Sequence, residues 1–126
     1  PRWGSYHKGI DISGSGYGSP IRSSTDGLVI ETHNTCPNFG SGYRDMCGGS
    51  YGNYVFVSYN NDELIVKYAH MTKDVQVKVG DTVSRGQIIG YMGSSGSSTG
   101  THLHFELRKG STYGQIVNPC RSVFKC

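Results

Sequence analysis

The sequence has little charge and no long apolar stretch. Only 17% of its 126 residues are Asp, Glu, Lys or Arg, and 35% are hydrophobic. No apolar run approaches the ~18 residues of a membrane-spanning helix, so we expect no membrane span. The net charge of +3 is too small to indicate a nucleic-acid partner. The chain also lacks a P-loop and a serine nucleophile elbow, which argues against those two kinds of chemistry.

Glycine is the residue in excess. It occupies 19 of 126 positions, roughly twice its usual share of about 7%. Short β-branched or aromatic segments alternate with turns rich in Gly, Ser and Asn, and no long helix-period segment is found. At 13.7 kDa the chain has the size of one domain. We therefore predict an all-β fold, with an antiparallel β core, long Gly-rich loops and little helix, in a single domain over residues 1–126.

Segments rich in β-branched and aromatic residues, some of them alternating, predict where the strands lie. The predicted segments are 7–12, 21–24, 28–32, 53–59, 63–69, 75–79, 87–92 and 102–108. Thr25-Asp26-Gly27 predicts a hairpin turn between the second and third segments, because Asp-Gly is a strong hairpin signal. Asn60-Asn61-Asp62 predicts the turn between the fourth and fifth.

Four cysteines allow three disulfide pairings. We favour Cys36–Cys47 and Cys120–Cys126, because each bond closes a short loop, and each would contribute roughly 2–3 kcal/mol of stability. An even cysteine count in a small Gly-rich domain indicates an oxidising location: secreted, or associated with the periplasm or a virion. The alternative is a structural zinc site of four thiolates, which the lack of a C-x-x-C pair disfavours.

Histidines supply the candidate chemistry. In the predicted strand over 101–107, alternation directs His102 and His104 to one face and the intervening apolar residues to the core. His7 and Asp11, four positions apart in an extended segment, also share a face. One His and one Asp from this segment, joined by one His from the distant strand, would form a three-ligand zinc site with an open fourth position, which is typical of catalytic zinc. His70 ends a β segment and offers a further imidazole. Solvated strand histidines and a surface ion pair would explain the same spacing without a metal.

The motifs occur in a recognisable order. His7-x-Gly9-x-Asp11, then Tyr68-Ala69-His70, then His102-Leu103-His104-Phe105-Glu106 resembles the lysostaphin-type (LytM-domain) zinc endopeptidases. The segments 19–29, 51–55, 77–90, 97–106 and 117–119 resemble further stretches of the same family. The resemblance covers roughly residues 7 to 119 and implies a zinc-dependent endopeptidase whose substrate is the peptide cross-bridges of bacterial peptidoglycan. We expect a monomer.

The resemblance also implies a role for each matching residue. His7, Asp11 and His104 would bind Zn²⁺, and His70 and His102 would be the catalytic histidines. Asn53, in the matched 51–55 segment, would contact substrate. A groove would be walled by the region 13–20, the Cys36–Cys47 loop and the loop 93–101, with tyrosines as candidate lining residues: Tyr17, Tyr51, Tyr54 and Tyr91.

The mechanism implied by these residues leaves three points open. Zinc lowers the pKa of bound water towards ~7, and a free imidazole can take the water proton and pass it to the leaving amine. His102 is the better candidate base, because it lies beside His104, but His70 is not excluded. Glu106 either orients a histidine or forms an ordinary ion pair. The bond cut is either Gly–Gly or a D-Ala-containing link.

Two features depart from the family pattern. The Cys36–Cys47 insertion and the Cys120–Cys126 pair are not general in it, so the shape of one groove wall is not implied by the resemblance.

The alternative function is a non-catalytic relative that binds zinc or glycan and regulates another wall hydrolase. All five matching positions are occupied here, which favours an active enzyme.

Overall fold

A computed structural model describes residues 10–12, 16–40, 45–96 and 103–117, with 10–12 and 103 described by their backbone alone. No helix occurs in these ranges. They form nine strands: β1 (Ile10–Ile12), β2 (Pro20–Arg22), β3 (Gly27–His33), β4 (Asn53–Tyr59), β5 (Leu64–Met71), β6 (Thr82–Val83), β7 (Ile88–Tyr91), β8 (Leu103–Lys109) and β9 (Gln115–Ile116). The predicted all-β class is confirmed. No helix of the described chain is long and apolar enough to cross a bilayer.

The strands form two antiparallel sheets. The larger has the order β1-β8-β5-β4-β3-β6, with β9 also paired to β8, and the smaller pairs β2 with β7. An isolated bridge between Met71 and Met92 connects the two sheets. Strands β1 and β8, which lie at opposite ends of the sequence, are therefore direct neighbours in the larger sheet.

The predicted hairpin at Thr25–Gly27 is wrong. Strand β2 pairs with β7, whereas β3 pairs with β4 and β6. The turn instead forms a corner between the sheets, where Ser23 Oγ donates to the carbonyl of Thr25 at 2.7 Å. Asp26 accepts a hydrogen bond from the backbone N–H of Arg85 at 2.7 Å, so its carboxylate ties down a distant turn. Asp-Gly is a local signal, and these non-local contacts override it.

The turn predicted at Asn60–Asp62 is confirmed, and it connects β4 to β5. All three residues have positive φ, at 51°, 57° and 67°, a conformation that Asn and Asp tolerate better than other side chains. The predicted strand over 75–79 is not formed. Val75 and Val77 still pack against the core, but the segment makes only isolated backbone bonds, such as Gln76 N–H to the carbonyl of Ile89.

The larger sheet is covered on both faces, so alternate residues of its strands enter two different clusters. The main core contains Val55 and Val57 of β4, Val66 and Tyr68 of β5, and Leu107 of β8. The opposite face carries a smaller, aromatic cluster of Tyr54, Phe56, Ile65 and Ala69, with Ile30 and Tyr51 packed against it. Every residue of β5 is buried as a result. The even-numbered positions of β8, including His104, belong to this second face.

Candidate active site

The pairing of strands brings the two ends of the motif series together. In the β1–β8 ladder, Asp11 lies directly opposite His104. In the β5–β8 ladder, His104 lies opposite Ala69, so the neighbouring residue of β5 is His70. Residues directly opposite in an antiparallel pair are nearest neighbours on one face of the sheet. Two of the five predicted site positions, Asp11 and His104, therefore pair directly, and His70 follows the residue that pairs with His104.

His70 and His104 come close through their rings as well as their backbones. The ring centroids are 5.9 Å apart, at an interplanar angle of 67°. His70 is 7% exposed, and the side chain of His104 is 14% exposed. His7 and His102 lie outside the described residues, and so does the side chain of Asp11.

The backbone and ring of His70 are both held. Its φ is +61°, unusual for a residue other than glycine. Its N–H donates to the carbonyl of Tyr51 at 2.7 Å, and its own carbonyl accepts from Gly93 at 3.1 Å. The ring Nδ1 lies 2.7 Å from the carbonyl oxygen of Ser95. Because a carbonyl only accepts, Nδ1 carries a proton, and in the neutral ring the lone pair is on Nε2.

The Cys36–Cys47 loop is hydrogen-bonded to the segment that holds the ring of His70. Cys36 and Cys47 are bonded, as predicted, with their Cα atoms 6.0 Å apart. The Asn53 side chain accepts from Cys36 N at 2.8 Å and donates to Cys36 O at 2.9 Å. Asn53 N donates to Ser95 Oγ at 3.0 Å, and Ser95 Oγ donates to Met71 O at 2.5 Å. A short chain of hydrogen bonds thus links the disulfide to the acceptor of His70. Cys120 and Cys126 lie outside the described residues.

Asn53 does not reach solvent in this structure. Its exposure is 0%, and its side-chain amide is hydrogen-bonded to Cys36 and to Met71 O. The Asn53 amide is thus engaged by backbone groups in this structure, and its contact with substrate stays a prediction. Buried amides that satisfy backbone groups hold a loop in position, and Asn53 does this for the Cys36–Cys47 loop.

The packing of Gly52 against Ser95 makes a testable contribution to stability. Gly52 has φ +69°, and a Cβ at this position would overlap the main chain and hydroxyl of Ser95. We expect Gly52→Ala to lower the free energy of unfolding by about 2–4 kcal/mol, from backbone strain plus overpacking. Gly49→Ala is the matched control, because φ is +65° but nothing lies within 4 Å of the added Cβ. Urea unfolding measures both, and equal losses would contradict the close approach of Gly52 to Ser95.

Glu106 is the hydrogen-bond partner of His104. It is 0% exposed, and its Oε1 lies 3.0 Å from Nε2 of His104. Its Oε2 accepts from Arg108 Nε at 2.7 Å and lies 3.3 Å from Lys67 Nζ. Burial opposes ionisation of Glu106, but the bonds from His104 and Arg108 and the charge of Lys67 outweigh it, and the pKa falls to about 2. Glu106 thus contacts a histidine and also forms ion pairs with Arg108 and Lys67.

Lys67 was not foreseen from the sequence. It is 0% exposed and directly opposite Glu106 in the β5–β8 ladder. Its ammonium lies 4.8, 4.7 and 4.3 Å from the ring centroids of Tyr51, Phe56 and Tyr113. Burial lowers the pKa of Lys67, and the charge of Glu106 acts in the opposite direction. The sequence did contain one indication of this buried charge, because Lys67 is the only lysine in the otherwise largely apolar strand β5.

The walls of the expected groove are connected in their described parts. Gly18 N–H donates to the carbonyl of Met92, and Met92 N–H donates to the carbonyl of Ser19, both at 2.8 Å. Residues 38–40 bond to Ser94. Tyr17 and Phe39, 49% and 60% exposed, stack with centroids 5.0 Å apart. Of the four candidate lining tyrosines, Tyr17 is exposed, Tyr51 and Tyr91 are half-buried, and Tyr54 is buried.

A second group of metal-ligating atoms fails on its chemistry. His33, Cys36 and Cys47 place one nitrogen and two sulfur atoms within 4.8 Å of one another. Both sulfurs belong to the disulfide, and metal binding requires thiolates. This disulfide therefore closes a loop and does not form a metal centre. A zinc site of four thiolates is excluded as well, because two of the four sulfur atoms are in the disulfide.

Comparison with known proteins gives a consistent result. The family model for peptidase family M23 matches residues 5–119. The chain is 39% identical over 101 residues to the peptidoglycan DD-endopeptidase ShyA of Vibrio cholerae, covering 80% of this chain and 20% of ShyA. It is 38% identical over 103 residues to the glycyl-glycine endopeptidase ALE-1 of Staphylococcus capitis, covering 82% of this chain and 25% of ALE-1. It thus spans a quarter or less of the length of these relatives.

A solved structure shows the same fold. The catalytic domain of a mutant of EnpA, a prophage-encoded M23 protein from Enterococcus faecalis, superposes with a TM-score of 0.73 at 36% sequence identity. The match covers 98% of this chain and 84% of the EnpA domain. The similarity therefore extends over nearly the whole of a catalytic domain.

Proposed function

Because the chain belongs to peptidase family M23, we propose that it is a zinc-dependent endopeptidase that hydrolyses the peptide cross-bridges of bacterial peptidoglycan. Members of this family are metallopeptidases and include peptidoglycan endopeptidases. The observation that carries the proposal is the direct pairing of Asp11 with His104 beside His70. In this proposal residues 1–126 are one catalytic domain, which works outside the cytoplasm, where its disulfide is stable.

His7, Asp11 and His104 are the proposed zinc ligands. Two imidazoles and one carboxylate are a donor set that zinc accepts in catalytic sites. The contacts of His104 support this role, because Glu106 engages Nε2, and Nδ1 on the other side of the ring would then be the nitrogen that binds the metal. A zinc ion held there supplies Lewis acidity, which activates water and polarises a peptide carbonyl.

His70 and His102 are the proposed proton-transfer groups. The bond from Nδ1 of His70 to the carbonyl of Ser95 fixes the ring so that Nε2 is the reactive nitrogen. Neutral, Nε2 accepts a proton; protonated, it donates to a developing oxyanion or a leaving amine. The same carbonyl stabilises the imidazolium form, because its dipole faces the charge. His102 takes the complementary role.

The substrate class follows from the fold and the named relatives. ShyA is described as a DD-endopeptidase of peptidoglycan and ALE-1 as a glycyl-glycine endopeptidase. Cross-bridges of either type are slender peptides. The exposed, stacked rings of Tyr17 and Phe39 offer a flat surface on the expected groove walls, which suits contact with such peptides.

The proposal is tested on purified cell walls of one strain with Gly cross-bridges and one with direct D-Ala links. We expect the protein to release soluble peptides from one of them and to lower its turbidity. A zinc chelator should stop the release and added Zn²⁺ should restore it. Mass spectrometry of the new termini identifies the bond cut. Zinc binding without peptide release from either wall would favour the non-catalytic alternative and overturn the proposal.

A further inference from the structure

The carboxylate of Glu106 lies at the centre of a buried polar cluster on the second face of the sheet. One oxygen faces Nε2 of His104 at 3.0 Å. The other faces Arg108 at 2.7 Å and Lys67 at 3.3 Å. The hydroxyl of Tyr51 lies 3.3 and 3.2 Å from the two oxygens and accepts from Lys67 Nζ at 3.1 Å. The same carboxylate therefore connects His104 to Arg108, Lys67 and Tyr51.

From this arrangement we propose that Glu106 is a positioning residue for the metal ligand His104, with Lys67 as the buried counter-charge that holds Glu106 in place. The inference rests on the proposed function, because it needs His104 to be a metal ligand. It goes beyond that function because it gives a positioning role to Glu106 and Lys67, neither of which is a proposed ligand of the metal or a contact of the substrate.

Stability alone is a poor reason for this cluster. Taking a carboxylate and an ammonium out of water costs several kcal/mol for each ion, and a buried pair seldom outperforms apolar residues of the same volume. Lys67 and Glu106 are both fully buried. The strands around them are otherwise built from residues such as Phe56 and Ile65, which would fill the same space without charge.

The cluster has a direct effect on His104. The carboxylate of Glu106 accepts from Arg108 and faces the ammonium of Lys67, so Nε2 of His104 is the donor in their contact and the lone pair of the neutral ring is on Nδ1. A carboxylate on the far nitrogen fixes the tautomer and the ring orientation of a ligating histidine and raises its basicity. The side chain of His104 is thereby organised for a metal before one binds.

Lys67 has little freedom to leave Glu106. Three aromatic rings surround its ammonium, at 4.3 to 4.8 Å from the centroids. One of these rings, Tyr51, is also 6.2 Å from the ring of His104, centroid to centroid. The rings exclude water and stabilise the cation. Lys67 therefore presents its charge to the carboxylate from a fixed position.

The test is zinc affinity, measured by competition with a chelating dye on the full chain. We expect Glu106→Gln to bind Zn²⁺ about 10–100-fold more weakly than the wild type, the usual cost of losing such an outer partner. Glu31→Gln is the matched control, because Glu31 accepts a hydrogen bond from Tyr54 and no contact with His104 is seen in the described structure. It should keep the wild-type affinity. The absorption spectrum of the Co²⁺-loaded protein should change for Glu106→Gln only.

A double variant separates positioning from stability. Glu106→Gln leaves Lys67 buried without its counter-charge, so the variant is expected to lose stability or fail to fold. Adding Lys67→Met removes that charge and should recover the midpoint of urea unfolding without recovering zinc affinity. Recovery of both would make Glu106 purely structural and overturn the inference. Unchanged affinity in folded Glu106→Gln would also overturn it, with the proposed function intact; a wild type that binds no zinc would instead refute the proposed function.

Discussion

Replacing His104 by alanine is expected to abolish zinc binding and wall hydrolysis together. The variant loses one of three proposed ligands, and the two that remain, His7 and Asp11, cannot retain the ion at ordinary zinc concentrations. We expect the rate of peptide release to fall by about a thousandfold or more, or ~4 kcal/mol of transition-state stabilisation. Elemental analysis of the dialysed protein, beside a wall turbidity assay, measures both losses.

His33→Ala is the control for this substitution. His33 also lies on the larger sheet, where it stacks on Tyr54 with centroids 5.7 Å apart and contacts Thr35. We expect it to retain zinc and hydrolysis. A full equivalent of tightly bound zinc in His104→Ala would show that the ion lies elsewhere and would refute the ligand set.

The second large effect is expected at the two proposed proton-transfer histidines. His102→Ala and His70→Ala should each keep zinc and lose about 10²–10⁴-fold in the rate of hydrolysis, the usual contribution of a general acid or base. Zinc analysis and initial rates of peptide release measure the two properties independently. If His102→Ala lost its zinc while His104→Ala retained it, the roles of the two histidines would have to be exchanged.

Much of the fold could be predicted from local patterns. The β-branched and aromatic residues of 53–59 predicted β4 with its observed bounds, and the Asn-Asn-Asp turn correctly separated it from β5. These features depend on strand and turn propensities, which residue types determine locally. The segment 75–79 alternates apolar and polar residues but forms no strand. No partner strand pairs with it in the described structure, and alternation says nothing about partners.

The candidate site was also predicted only in part from the sequence. The motif order predicted which residues would gather, and the register places Asp11 opposite His104 with His70 beside them. The role expected for Asn53 was inferred from its place in a motif, whereas its burial depends on contacts with Cys36, 17 positions away. The motif alone does not show that the Cys36–Cys47 loop covers Asn53.

The amino-acid sequence by itself determined the all-β class, the family and the choice of candidate ligands, because these depend on residue types and their spacing. Only the tertiary structure decided that β2 pairs with β7, that Nδ1 of His70 holds its proton against Ser95, and that Lys67 faces Glu106 behind His104. Each of these is a contact between segments far apart in the chain. Its energy depends on burial and geometry, which exist only once the sheets have formed.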